Sequence, residues 1–196
     1  MYLAGGQLFS GPDLKTFFAD RLIALDESIA ALGGGDFAAR AETAMESALL
    51  SRFGMAETHL LVADSYFFAE RDMTVAEAGL PVEGLPSDGG QPYAADTILK
   101  SVTIAIPFQG HPALFTHRPT VFSAHQPEAT VVGQELHVGF IAAPEEEWMI
   151  EQRFQQHIAL IERTLEVTQW QAMDFNAKLP GLIRAKLRAR RALLQP

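Results

Sequence analysis

Residues 135–165 read ELHVGFIAAPEEEWMIEQRFQQHIALIERTL. Within this stretch the apolar period changes from that of a strand to that of a helix. Glu135 to Ala142 (ELHVGFIA) reads as a strand rich in β-branched and apolar residues. Pro144 ends the run, and Glu145-Glu146-Glu147 follows, favourable at a helix N-terminus where the macrodipole is positive. Ile150, Phe154, Ile158, Ile161, Leu165, Ala172, Phe175 and Leu179 then form one long apolar stripe, weakened at Thr168. If unbroken, a helix over 145–179 spans about 50 Å at ~1.5 Å per residue. Pro180-Gly181 is expected to kink or break it, because proline lacks the amide donor and clashes with the preceding turn. Leu182 to Leu194 resumes as a basic helix.

Upstream, Ser101 to Phe108 (SVTIAIPF) alternates and is a second clear strand. Val121-Phe122-Ser123 and Thr130-Val131-Val132 read as weaker strands, and Leu60-Leu61-Val62-Ala63 and Tyr66-Phe67-Phe68 as strands or a strand and its edge. Residues 79–97 are rich in glycine and proline, lack periodicity and read as a loop. Pro107, Pro112, Pro119 and Pro127 mark strand ends, turns or edges, since proline cannot donate to a ladder. A mostly antiparallel small sheet or sandwich follows. At the N-terminus, Ser10 with Asp13 three residues on reads as a capping box. Leu14, Phe17, Phe18, Leu22, Leu25, Ile29 and Leu32 give an amphipathic helix that Gly33-Gly34-Gly35 ends. Asp36 is expected to cap a second helix through Leu50. The expected architecture is one α+β domain over 1–196: a helix pair in 1–56, a β-rich part in 57–143, and helix with a basic end in 144–196. The long helix either packs against the N-terminal helix pair or pairs with another subunit.

The totals narrow the function classes. The chain has 196 residues and no cysteine, which excludes disulfides, thiolate nucleophiles and cysteine-ligated zinc. The start shows no secretory signal and no apolar run approaches a bilayer's thickness, so a cytoplasmic protein without membrane contact is expected. The net charge of −9 is unevenly spread. Residues 1–177 hold nine basic and twenty-four acidic groups, a balance of −15, and the last nineteen positions hold six basic groups and no acid. The body repels nucleic acid, whereas the tail alone could attract it.

No phosphate-binding loop, dinucleotide turn, HExxH or GxSxG motif occurs. Asp13 and Lys15 resemble the acid and lysine of restriction-type nucleases only superficially, because both fall in the first turn of an expected helix. Four of six histidines lie close together in sequence: His111, His117, His125 and His137. Three imidazoles on one face could hold zinc and a hydrolytic water. Their spacings of 6, 8 and 12 match no ligand pattern, and turn positions suit solvated rings. His111, His117 and His125 stay as metal candidates, with no cofactor expected. Arg184, Lys186, Arg188, Arg190 and Arg191 are candidates for phosphate contact, although no aromatic follows Phe175 to stack a base. The plainer reading has these cations complementing the helix end or the acidic body. Trp148, Trp170 and the phenylalanines are expected in the core.

The stretch Val102 to Leu194 also resembles a known module. Its marks are Ile104 to Phe108 (IAIPF), Gly110, Leu114-Phe115, Arg118-Pro119-Thr120, Pro127, the Gly133-to-Phe140 strand, Phe175-Asn176, Leu179-Pro180 and Ala189-Arg190-Arg191. Together they resemble an uncharacterised N-terminal module of bacterial proteins that precedes a restriction-endonuclease-like or TIR-type domain, an arrangement suggestive of anti-phage effectors. The resemblance implies that catalytic residues lie in a following domain and that none belongs to this chain. The expectation is therefore a non-catalytic sensing or assembly module, homo-oligomeric through its long helix and joined to a downstream effector domain. The alternatives are a nucleic-acid-binding module using the tail and a metal-dependent hydrolase using the histidines.

Overall fold

The computed structural model describes residues 1–79, 94–121 and 126–194. Two strands hold its centre, β4 (Ile98–Gln109) and β6 (Glu135–Ala142). They pair antiparallel, with Val102 opposite Phe140, Ile104 opposite Val138 and Ile106 opposite Leu136. Side chains alternate across a strand, so these six buried residues share one face. The other face carries Ser101, Thr103 and Ala105 opposite Ile141, Gly139 and His137. Outside β4 lie β3 (Tyr66–Thr74) and the short β2 (His59–Leu60). Beyond β6 lie β5 (Thr130–Val132) and β1 (Tyr2–Ala4). All pairs are antiparallel and form one sheet, so the sandwich alternative gives way to helices packed on a single sheet.

Several local features explain the strand ends. Gly133 opens the two-residue turn from β5 to β6 with φ +60°, a conformation that favours glycine. Pro107 sits inside β4, where its outer neighbour changes from β3 to β2. Its carbonyl accepts from Leu61 N (2.8 Å), and the missing donor falls in the gap between the two outer strands. Of the expected strand over 60–63 only Leu60 falls in β2, which His59 begins, because a 3-10 turn at Val62–Asp64 follows at once. The strand β1 has no periodic signal of its own. Phe122-Ser123 and most of the loop over 79–97 lie outside the described residues.

The N-terminal helices number three among the described residues: α1 (Leu14–Ala30), α2 (Gly34–Ala39) and α3 (Glu42–Phe53). Asp13, not Ser10, caps α1, and its Oδ1 accepts from Lys15 N at 2.8 Å. Asp36 caps from inside α2, reaching back to Gly33 N at 2.9 Å. The expected helix from Asp36 to Leu50 is split because Arg40 and Ala41 are extended.

The last helix, α5 (Ile150–Leu194), runs 45 residues without a break. The interruption expected at Pro180 is overturned. A proline inside a helix costs about 3 kcal/mol. Leu179, Ile183 and Leu187 on both sides of it are buried, and each contributes roughly 1.5–3 kcal/mol on burial. The packing therefore outweighs the lost hydrogen bond. Asn176, one turn before Pro180, uses its side chain to join α5 to the chain after α3: Oδ1 accepts from Met55 N and Nδ2 donates to Met55 O, both at 2.8 Å.

The stripe of α5 is buried from Phe154 to Leu187. Its N-terminal half covers the apolar face of β4 and β6, with Phe154 6.4 Å from Phe140. Its C-terminal half packs on α1 and α3, where Phe18 stacks on Phe175 at 4.7 Å. The long helix thus packs against the N-terminal helices, one of its two expected uses. No helix among the described residues is long and apolar enough to cross a membrane.

Two buried polar residues interrupt the stripe, Thr168, whose hydroxyl donates to Leu165 O at 2.9 Å, and His157. His157 Nε2 lies 2.8 Å from the carbonyl oxygen of Glu128, so that nitrogen donates. Burial pushes the His157 pKa below its ordinary value, partly opposed by this hydrogen bond. His111 is lowered too, first by burial and then by Arg21 and His117.

Two outcomes follow. Asn176→Ala strands both backbone groups of Met55 and should lower unfolding free energy by about 1–3 kcal/mol in urea titrations; an unchanged midpoint would show the clasp to be unimportant. The depressed histidines add stability that is full above the unfolded pKa of about 6.5 and is lost as pH falls from there through the folded values. His157→Gln should flatten the slope of stability over that window, leaving the share of His111; a slope identical to that of the parent would refute the assignment.

Candidate docking surface

The edge strand β3 carries the most conspicuous surface. Its residues from Tyr66 to Asp72 are all exposed, although three of them are aromatic. The register places Phe67 beside Ile104 and Glu70 beside Val102, on the face that α5 covers. A bulge at Phe68 interrupts that register. Bulges at sheet edges bend the strand and re-aim a side chain, and the Phe68 ring lies 4.3 Å from that of His137 on the opposite face. Aromatic rings therefore stand on both sides of one edge.

The start of α5 lies over β4 and β6 but leaves β3 uncovered. A groove of about 620 Å³ opens between them. Its floor is Val102 and Ile104, one wall is Phe67, and the other is Trp148, Ile150 and Phe154. Phe67 is 73% and Trp148 75% exposed. Lys100 joins the two walls, with Nζ 3.1 Å from Glu70 Oε1 and 3.0 Å from Glu147 Oε2. Both contacts push its pKa up, that with Glu147 more. Glu151 lines the groove as well, so three carboxylates and one cation give the rim a balance of −2. Such a groove can bury an apolar side chain and pair a neighbouring cation.

On the opposite face a small polar cluster braces the same strand. Glu135 accepts from Tyr66 Oη at 2.9 Å, and its other oxygen lies 2.9 Å from His137 Nε2. The two contacts hold the Glu135 carboxyl below its ordinary pKa, and the glutamate pushes the Tyr66 phenol up. The cluster ties β3 to β6 across the small Ala105.

The residues singled out from sequence fall elsewhere. His111 and His117 do come together, but around a phenylalanine: their rings lie 5.4 and 4.9 Å from that of Phe17. His111 Nδ1 accepts from Ala113 N at 3.1 Å, inside the turn that opens the short α4 (Ala113–Thr116). These half-buried rings are packed, not solvated. His125 lies outside the described residues, and no group of three metal-ligating side chains occurs among the described ones. Asp13 is occupied as a helix cap.

The basic tail turns toward the N-terminal helices. Lys186 Nζ is 2.5 Å from Asp26, and Arg190 Nε donates to Leu32 O at 3.0 Å. Arg184 lies 3.6 Å from Glu46, while Arg188 and Arg191 lie 3.6 and 3.8 Å from Glu42. The cations thus complement the acidic body, the plainer of the two readings.

The expectation that both tryptophans are core residues is overturned, since Trp170 is 78% exposed. A signal was present in their phase: neither falls on the stripe running through Phe154, Leu165, Ala172 and Phe175. Trp170 and Met173 are exposed on α5, and Trp170 borders a cavity of about 240 Å³ with Lys15, Phe18 and Asp174; the Phe67–Trp148 groove, at about 620 Å³, is the larger of the two and has aromatic side chains on both walls, which suits it better to a specific partner.

Because Phe67 and Trp148 contribute little to the core, Phe67→Asp and Trp148→Asp should each change stability by no more than about 0.5 kcal/mol. Chemical denaturation checks this, and a loss of several kcal/mol would make the walls structural. No family model, curated protein or solved structure matches the chain.

Proposed function

We propose that the chain is a non-catalytic sensing or assembly module, in the setting of a bacterial defence-type effector, and that it self-associates through the groove beside β3. The observation that carries the assembly reading is the pair of exposed aromatic walls, Phe67 and Trp148, over an apolar floor and within an acidic rim. Exposed, clustered aromatics beside a sheet edge are unfavourable in water and mark interaction surfaces. The defence setting rests on the resemblance of Val102 to Leu194 alone, as does a following effector domain.

The long helix contributes differently from a coiled-coil seam. Its apolar stripe is used inside the chain, so the assembly surface is the 3-10 turn that precedes it (Pro144–Met149, with Trp148) and its first turn, together with β3. A nucleic-acid role for Arg184, Lys186, Arg188, Arg190 and Arg191 ranks below assembly, because these cations contact carboxylates or a carbonyl of the same chain.

Sedimentation velocity at low salt and tens of micromolar protein decides the matter. Concentration-dependent association is expected, and Phe67→Asp with Trp148→Asp should reduce it to monomer. A parent that stays monomeric, or association indifferent to the two substitutions, would count against this reading.

A further inference from the structure

We infer that the occupant of the groove is the basic C-terminal end of α5 from a second copy, so that copies join head to tail. This rests on the assembly reading and names its partner. The first argument is charge. Arg184, Arg188 and Arg191 recur at four- and three-residue steps and form one stripe on a helix face. Their side chains are 52%, 73% and 50% exposed, and their carboxylate contacts within the chain are loose, at 3.6 to 3.8 Å. Glu42 alone serves two of them. With Lys186, four cations meet three acids, Asp26, Glu42 and Glu46, and Arg190 meets only the Leu32 carbonyl, a balance of +2 over the five cations. The rim of the groove stands at −2.

The second argument is shape and apolar character. Leu193, the penultimate residue of α5, is 79% exposed and stands about half a turn round from the arginine stripe, so the helix offers the Phe67–Trp148 walls an apolar side chain at its tip rather than on the arginine flank. The third is distance. The groove lies at the first turn of α5 and the arginine stripe at its last turns, roughly 60 Å apart along an unbroken helix. The two ends cannot meet within one chain, but they can between chains. A groove-to-groove dimer would instead bring two acidic rims together, and like charges facing each other disfavour that arrangement. A head-to-tail contact is heterologous: it leaves one groove and one tail free, and so continues into a ring or a filament.

The experiment uses two complementary variants of the whole chain, with thermal melts by circular dichroism to verify folding. One carries Phe67→Asp and Trp148→Asp, and the other Arg184→Gln, Arg188→Gln and Arg191→Gln. The parent should grow beyond dimer with concentration at low salt and shrink as salt rises. Each variant alone should be monomeric, and an equimolar mixture should form a complex of one copy each that grows no further. As a single exposed change, Glu151→Lys should weaken association about tenfold. Self-association of the arginine variant at parental strength would overturn the head-to-tail contact while leaving a groove-mediated assembly standing. Parental self-association by the aromatic variant would overturn both, as would a monomeric parent. An unchanged association constant for Glu151→Lys would overturn the charge match.

Discussion

The structure depends on the burial of one apolar stripe. Phe154, Ile158, Ile161, Leu165, Phe175, Leu179, Ile183 and Leu187 all lie on α5 and are all buried. Two different partners share them, the face of β4 and β6 first and then α1 and α3. A single helix therefore joins the sheet to the helical part and makes a common core. Its continuity through Pro180 follows from the same burial, because losing one hydrogen bond costs less than uncovering the residues around it.

That geometry also decides what remains exposed. A helix covers a strip of sheet about its own width, roughly 10 Å, which is two strands. With α5 over β4 and β6, the edge strand β3 is left uncovered on that face, and Phe67 stands at the border. The loss of cover is partly offset by polar braces. Lys100 bridges Glu70 and Glu147 on the groove side, and Glu135 holds Tyr66 and His137 on the other. These contacts hold the edge strand to the sheet without hiding its aromatic rings.

Charge is segregated along the same helix. Glu145, Glu146, Glu147 and Glu151 stand around its N-terminus, and the arginines stand toward its C-terminus. Both placements complement the helix macrodipole and need no further cause. What exceeds that need is the surplus at each end: an acidic rim around apolar walls, and an arginine stripe held by distant carboxylates and, at Arg184, by a 3.3 Å hydrogen bond to the Pro180 carbonyl.

Much of the fold was legible in local pattern. The alternation in Ser101 to Phe108 and Glu135 to Ala142, and the stripe from Ile150 to Leu179, are periodic signals, and they determined the α+β class and the principal strands and helix. Short elements were not legible. Tyr2–Ala4 becomes a strand only because β6 offers it an edge, and Asp36 caps a short helix because Arg40 and Ala41 are extended. The surface was less legible still. Periodicity reports which residues share a face of their own element, and only packing decides whether a neighbour covers that face. Trp148 and Phe67 are apolar and so read as core residues by type, and the clustered histidines read as possible ligands by type and by nearness in sequence, although their spacing matches no ligand pattern. Tertiary structure exposed the aromatics by placing α5 over β4 and β6 and not over the edge strand β3, and it spent His111 and His117 on packing around Phe17. The sequence by itself determined the elements and the charge at each end of the helix; the packing of α5 determined which surface was left for a partner.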